Sequence, residues 1–317
     1  MQHPLLCGRL CLLMVLAGLA LPSAGCGSVA NEPQRDAAVE PPADAALPDS
    51  TVAPRCDPTK SFGQPTPVPN INSTARDQGA QLVDDLTLYF GSDRSGSAGL
   101  YVATRSSPTS PFSTPVALSA INMTGAASGP ALTGDGLTMY YAVASAQTLG
   151  DIYVTARADK GAMFPAGTPV TQVNSPTEDL DPFITADGAA LYFDSARGTT
   201  ALHLYTAVRR TDGSFDVPQA LTNLNTNAVD GHPVVSRDGL TIYWSSTRTD
   251  GGAQGGTDMW MATRPSTADT FVTPTRVPAL SSISNESVSW IAPDGCVAYL
   301  QSDRTGSADI WVAVRPM

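Results

Sequence analysis

Apolar and polar positions in this chain alternate over short runs, and the runs return at a regular interval. An Asp stands five residues ahead of a Tyr at Asp84/Tyr89, Asp135/Tyr140, Asp187/Tyr192, Asp238/Tyr243 and Asp294/Tyr299, spaced by 51, 52, 51 and 56 residues. Period-two alternation marks half-buried strands, and recurrence near fifty residues marks a propeller or a related array. The likeness of "SDRSGSAGLYVATR" (92–105) to "SDRTGSADIWVAVR" (302–315) is the plainest trace of the repeat.

Each copy predicts four strands. The first is short and apolar and runs into a turn, as in "DPFITADG", "HPVVSRDG" and "VSWIAPDG". Asp-Gly there supplies the positive φ of a tight hairpin. The second strand is "TLYF", "TMYY", "ALYF", "TIYW" or "VAYL", and the third is of the type "DIYVTAR" or "DIWVAVR". The fourth follows a Phe-x-x-Pro step, as in "FSTPVALSAIN" and "FDVPQALTNLN". Four such strands make one blade. The fifth copy stops after its third strand at Arg315, whereas "SFGQPTPVPNIN" (61–72) is a fourth strand with no blade ahead of it. The expected fold is therefore all-β, a five-bladed β-propeller of four-stranded blades over residues 59–317. The N-terminal strand is expected to complete the C-terminal blade and pair edges that would otherwise stay open.

The N-terminal residues follow another rule. Arg9 precedes the apolar run "LCLLMVLAGLAL" (10–21), which has the length of a signal-peptide core, and "PSAGC" comes next. Small residues before a cysteine resemble the bacterial lipobox. That resemblance makes residues 1–25 a lipoprotein signal peptide and Cys26 the lipidated N-terminus, with plain secretory cleavage as the alternative. Gly27 and Ser28 stand where inner-membrane retention usually calls for Asp, which implies the outer membrane. Residues 26–58 are rich in Ala, Pro and Asp and lack an apolar period. They are expected to be a disordered tether, because they bury too little to offset ordering entropy.

Composition narrows the partners. Of 317 residues 42% are hydrophobic and 15% charged, with a formal net charge of −11, and no Lys/Arg-rich run occurs. A globular core is supported and nucleic acid is not expected as a partner. Membrane contact is expected only through the lipid, and the protein is expected to be a monomer.

The segments "TADGAALYFDSARG", "SRDGLTIYWSSTRTDGG" and "APDGCVAYLQSDRTGSADIW" resemble the WD-repeat-like propeller repeats of the TolB type. The resemblance covers residues 61–317 and implies the fold. That repeat is reused in transport accessories, peptidase propellers and envelope lipoproteins, so it implies a binding scaffold without naming the ligand. TolB carries an additional N-terminal α/β domain where this chain has the tether. Peptidase propellers carry a hydrolase domain for which this chain has no residues left. The expected partner is an envelope protein or a glycan.

Removing the signal and lipidating Cys26 leaves Cys56 and Cys296 as the remaining thiols. Two cysteines in an oxidising compartment invite pairing. Closure of the ring by the N-terminal strand brings them into one neighbourhood. A disulfide is expected, the alternative being a buried free Cys296.

Motifs for catalysis are missing: there is no Gly-x-Ser-x-Gly, His-Glu-x-x-His, phosphate-binding Gly loop or Cys-x-x-Cys. Beyond the signal region the histidines are His203 and His232. The repeat does place charge. Eight residues before each repeat Asp stand Arg76, Ala127, Asp179, Asp230 and Glu286, at the start of the innermost strands. The loops after the second strands carry Arg94, Arg197, Arg248 and Arg304, with Gln147 read as the substitute in the second copy. Both sets are expected on the face holding the channel mouth.

Two readings of that face stay open. In one, each Arg pairs with an acid and fixes its loop. In the other, the asymmetric set Asp179, Asp230, Glu286, His232 and Arg76 forms a ligand-binding site, with Asp181 beside it. Carboxylates at the axis of a five-bladed propeller also resemble arabinanase-like glycosidases, whose chemistry needs two carboxyl groups flanking the bond. The same oxygens could hold Ca²⁺, and no other cofactor is expected. The leading expectation is a non-catalytic envelope scaffold; the alternative is a glycan-active or glycan-binding propeller. Arg105, Arg157, Arg209, Arg264 and Arg315 are expected to fix loops on the opposite face, and the repeat tyrosines to pack between blades.

Overall fold

The computed structural model describes residues 55–145 and 149–317. The signal peptide, Cys26, most of the tether and Gln147 lie outside the described residues. From Arg55 onward the chain forms five four-stranded antiparallel sheets. β1 (Thr66–Pro67) comes first, and blade one follows with β2 (Asp77–Asp84), β3 (Thr87–Ser92), β4 (Gly99–Thr104) and β5 (Val116–Ala117). Blade two holds β6 (Ala126–Leu132), β7 (Thr138–Ala144), β8 (Asp151–Ala156) and β9 (Thr168–Pro169). Blade three holds β10 (Asp179–Ile184), β11 (Ala190–Ser195), β12 (His203–Val208) and β13 (Gln219–Ala220). Blade four holds β14 (Asp230–Val235), β15 (Thr241–Ser246), β16 (Asp258–Thr263) and β17 (Val272–Arg276). Blade five is β18 (Glu286–Ile291), β19 (Val297–Ser302) and β20 (Asp309–Val314), with β1 outermost. One helical turn, α1 (Ser119–Asn122), interrupts an otherwise all-β fold.

The second strand of each blade is buried on both faces, as with Leu88, Tyr89 and Phe90 in β3. A neighbouring blade covers each face, so these strands read as apolar runs where an exposed sheet would alternate. The core accordingly lies between blades. One cluster joins Leu82, Phe90 and Tyr101 of blade one to Trp290, Tyr299 and Ile310 of blade five. The repeat tyrosines bridge these interfaces as expected: Tyr89 meets Phe164 of blade two edge-on at 6.1 Å, and Tyr140 meets Phe215 of blade three at 6.0 Å. Outer fourth strands are only two residues long in blades one to three. Pro is tolerated in them because an edge strand need not donate to a further neighbour.

The ring closes through the two ends of the described chain. β1 pairs antiparallel with β20, Thr66 opposite Val312 and Pro67 opposite Trp311. Upstream, the Gly63 N–H donates to the Val314 carbonyl and that of Asp57 to the Pro316 carbonyl, each at 2.9 Å. Cys56 and Cys296 form a disulfide with 5.6 Å between their α-carbons and 240 residues between them. Beside it Arg55 reaches Asp294 at 2.7 Å and Asp85 at 3.0 Å, linking the N-terminal segment to blades five and one.

On the face opposite the charged loops, the third-strand arginines hold the Phe that precedes each fourth strand. Arg105, Arg157, Arg209 and Arg264 lie over Phe112, Phe164, Phe215 and Phe271 of their own blades at 4.3 to 5.6 Å from the ring centres. Arg315 lies over Phe62, 3.9 Å from its ring, so the fifth copy of the contact crosses the closure.

Candidate functional site at the channel mouth

Four blades share a charged lock at the start of the innermost strand. Asp77, Asp179, Asp230 and Glu286 are wholly buried, and Arg94, Arg197, Arg248 and Arg304 each donate to one of their oxygens. The same arginines donate from Nε to Ser92, Ser195, Ser246 and Ser302 at 2.8 to 2.9 Å. Their guanidinium planes stack on strand aromatics such as Phe90, Phe193, Trp260 and Trp311. The second oxygen of each acid accepts the backbone N–H of the residue four positions earlier: Ser73, Ser175, Thr226 and Ser282. Charge pairing and hydrogen bonds together offset the cost of burying the carboxylates. The lock fixes the crossover loop to its blade.

The structure corrects the position read as Arg76. In blade one the hairpin between β2 and β3 is one residue shorter, so a count of eight from Asp84 stops one residue early. Asp77, opposite Ser92, occupies the place that Asp179 holds opposite Ser195. Arg76 instead pairs with Asp93 at 3.2 Å at the surface. The asymmetry read between blades one and two and blades three to five therefore shrinks to blade two, because blade one carries the acid as well.

Blade two gives up the lock as a unit. Ala127 faces Val143, and both are wholly buried where the other blades hold acid and serine. The arginine position, five residues after the repeat tyrosine, is Ser145, two residues before Gln147. Replacing all members of a buried polar network with apolar groups leaves nothing unsatisfied, whereas losing one leaves a stranded charge.

The channel itself is lined by residues just beyond these acids. The innermost strands of blades one to four each slip register there, at Gly79–Ala80, Gly129–Pro130, Asp181–Pro182 and His232–Pro233. The first residue of each bulge takes positive φ: Gly79 at 62°, Gly129 at 58°, Asp181 at 45° and His232 at 53°. Glycine adopts this conformation freely, while a side chain there costs about 1–2 kcal/mol. Blades three and four thus place a carboxylate and an imidazole where blades one and two use glycine. These residues line one pocket, with Phe183, Val234 and Val288 in its wall.

The two side chains meet. His232 Nε2 lies 3.2 Å from Asp181 Oδ2, both partly exposed to the channel. Behind them Asp194 of β11 is wholly buried. Its Oδ2 accepts the His232 backbone N–H at 3.3 Å, and its Oδ1 has no hydrogen-bond partner among the described residues. Burial first, and the adjacent Asp181 charge second, push the Asp194 carboxyl well above the ordinary carboxylate range. Gly231 makes room for it, since a β-carbon at 231 would come within 2.2 Å of Asp194 Oδ2.

Of the residues read from sequence, the structure thus brings His232 together with Asp181. It leaves Asp179, Asp230 and Glu286 in separate buried locks and Arg76 on the rim. Asp194 escaped the sequence reading. Its signal was a break in the repeat: two residues after the repeat tyrosine the other blades carry Gly91, Ala142, Ser245 and Gln301.

No family model matches the chain, and no curated protein matches its sequence. Solved structures do resemble it. An endo-arabinase from Bacteroides thetaiotaomicron is 14% identical with a TM-score of 0.54, over 81% of this chain and 98% of the arabinase. The catalytic domain of a GH62 α-L-arabinofuranosidase from Coprinopsis cinerea is 13% identical with a TM-score of 0.52, over 80% of this chain and 96% of its own length. TolB from Acinetobacter baumannii is 17% identical with a TM-score of 0.49, over 77% of this chain; the match spans 55% of that TolB. At these identities the likeness to the arabinase and the arabinofuranosidase is one of fold alone.

Proposed function

We propose that this protein is a non-catalytic binding propeller of the cell envelope. It is exported, anchored through lipidated Cys26, and presents the channel mouth around Asp181 and His232 to an envelope protein or glycan. The observation that carries this reading is the state of the carboxylates. Sugar hydrolysis requires two carboxyl groups that reach opposite sides of one glycosidic bond. Asp179, Asp230 and Glu286 are wholly buried, and each is charge-paired with the arginine of its own blade. Asp194 is buried as well, which leaves Asp181 as the carboxylate of this group that opens to the channel.

The similarity in fold to an endo-arabinase and an α-L-arabinofuranosidase supports a second reading, a glycan-active or glycan-binding propeller. Incubating the purified protein with plant and bacterial polysaccharides, beside affinity capture from envelope extracts, separates the two. A stoichiometric envelope partner without sugar release is expected. Release of sugar that disappears in Asp181→Asn would overturn the non-catalytic reading. For the anchor, Cys26→Ser should abolish lipid labelling and move the protein out of the membrane fraction; unchanged membrane retention would refute it.

A further inference from the structure

We propose that Asp181, Asp194 and His232 form a binding site for one divalent transition-metal cation, at the junction of blades three and four where it opens to the channel. One ligand atom from each residue lies within 4.8 Å of the other two. Ligands around 2.0–2.2 Å from a common ion sit roughly 3–4.4 Å apart, so small side-chain rotations complete the geometry.

The donors choose the class of metal. One imidazole nitrogen and two carboxylate oxygens suit Zn²⁺ or Mn²⁺. Ca²⁺ and Mg²⁺ prefer oxygen-only shells of six or more ligands. Three protein ligands leave further positions for water or a ligand group, and the partial exposure of Asp181 and His232 puts those positions on the channel side.

Two independent observations point to a ligand. Asp194 is wholly buried, and its Oδ1 meets no hydrogen-bond partner among the described residues. A buried carboxylate oxygen without a partner is costly, and a cation would satisfy it. The Asp181–His232 contact alone leaves that oxygen unexplained. The second observation is singularity within the repeat. The arginine locks recur in four blades as structural devices do, whereas this trio occurs once. The equivalents of Asp181 and His232 in blades one and two are Gly79 and Gly129, and those of Asp194 are Gly91, Ala142, Ser245 and Gln301.

The test is calorimetric titration of the purified, chelator-treated protein with Zn²⁺, Mn²⁺ and, separately, Ca²⁺. We expect one Zn²⁺ or Mn²⁺ per chain, and at least a tenfold loss of affinity in both His232→Ala and Asp194→Asn. Asp181→Asn, which sits at the channel edge, provides a third variant should the buried substitution impair folding, and it should weaken binding similarly. Absence of saturable Zn²⁺ and Mn²⁺ binding to the wild type would overturn the site. So would binding that all folded variants retain, or a preference for Ca²⁺. None of these outcomes depends on whether an envelope partner is found, so the site stands or falls separately from the binding function.

Discussion

The fate of a single lock measures the reasoning about buried charge. In blade one, Arg94 donates to Asp77 Oδ1 at 2.6 Å, to the Ile71 carbonyl at 2.6 Å and to Ser92 Oγ at 2.8 Å. Its side chain is one-fifth exposed and that of Asp77 is not exposed at all. Arg94→Ser strands the Asp77 carboxylate with only the Ser73 N–H and hydroxyl, and should cost about 3 kcal/mol, the low end for breaking a buried pair because Arg94 keeps some water. Asp77→Ala should cost about as much, leaving a guanidinium without its counter-charge. Blade two supplies the natural replacement: Ala127, Val143 and Ser145 at the same three places. The triple variant Asp77→Ala, Ser92→Val, Arg94→Ser should therefore cost about 2–3 kcal/mol less than the summed single substitutions. Urea unfolding followed by far-UV circular dichroism, at constant slope, gives each value. A triple variant additive to within about 0.5 kcal/mol would refute the argument that the lock is one electrostatic unit.

Three further outcomes follow from the closure and the channel. Cys56→Ser with Cys296→Ser should lower stability by up to about 5 kcal/mol through the freed loop of 240 residues, and reductant should bring the wild type to the same urea midpoint; a midpoint unmoved by reductant would contradict it. Deleting 59–73 should expose the edge of β20 and cause aggregation or rapid proteolysis, whereas an unchanged thermal transition would refute closure by β1. For Asp194, the folded protein holds the carboxyl above its unfolded value, so its favourable contribution is full below the ordinary carboxylate range and is lost as pH rises toward the raised value. In chelator, Asp194→Asn should accordingly melt higher than wild type near pH 8, with the gap closing toward pH 4; a gap that widens on acidification would reverse the sign.

Periodicity alone determined the five-bladed all-β architecture, because the blades repeat one local solution: apolar second strands and a Phe under the third-strand arginine in all five, with an Asp-Gly hairpin in four and a Phe-x-x-Pro step in four. The surplus strand at 61–72 beside a fifth copy lacking one likewise determined how the ring closes. Residue spacing also brought acids and arginines to one face, since every strand end in a propeller opens on one of two faces. Tertiary structure decided the rest. A one-residue difference in the first hairpin moved the acid from the position of Arg76 to Asp77, and counting cannot see where a deletion falls. Which carboxylates meet water was also undecidable by count. Asp179 and Asp181 are two residues apart, yet the strand buries the first against Arg197 and a bulge turns the second into the channel. Asp194 joins Asp181 and His232 only because blade four packs its glycine at 231 against blade three. That juxtaposition spans separate repeats, and only packing between blades creates it.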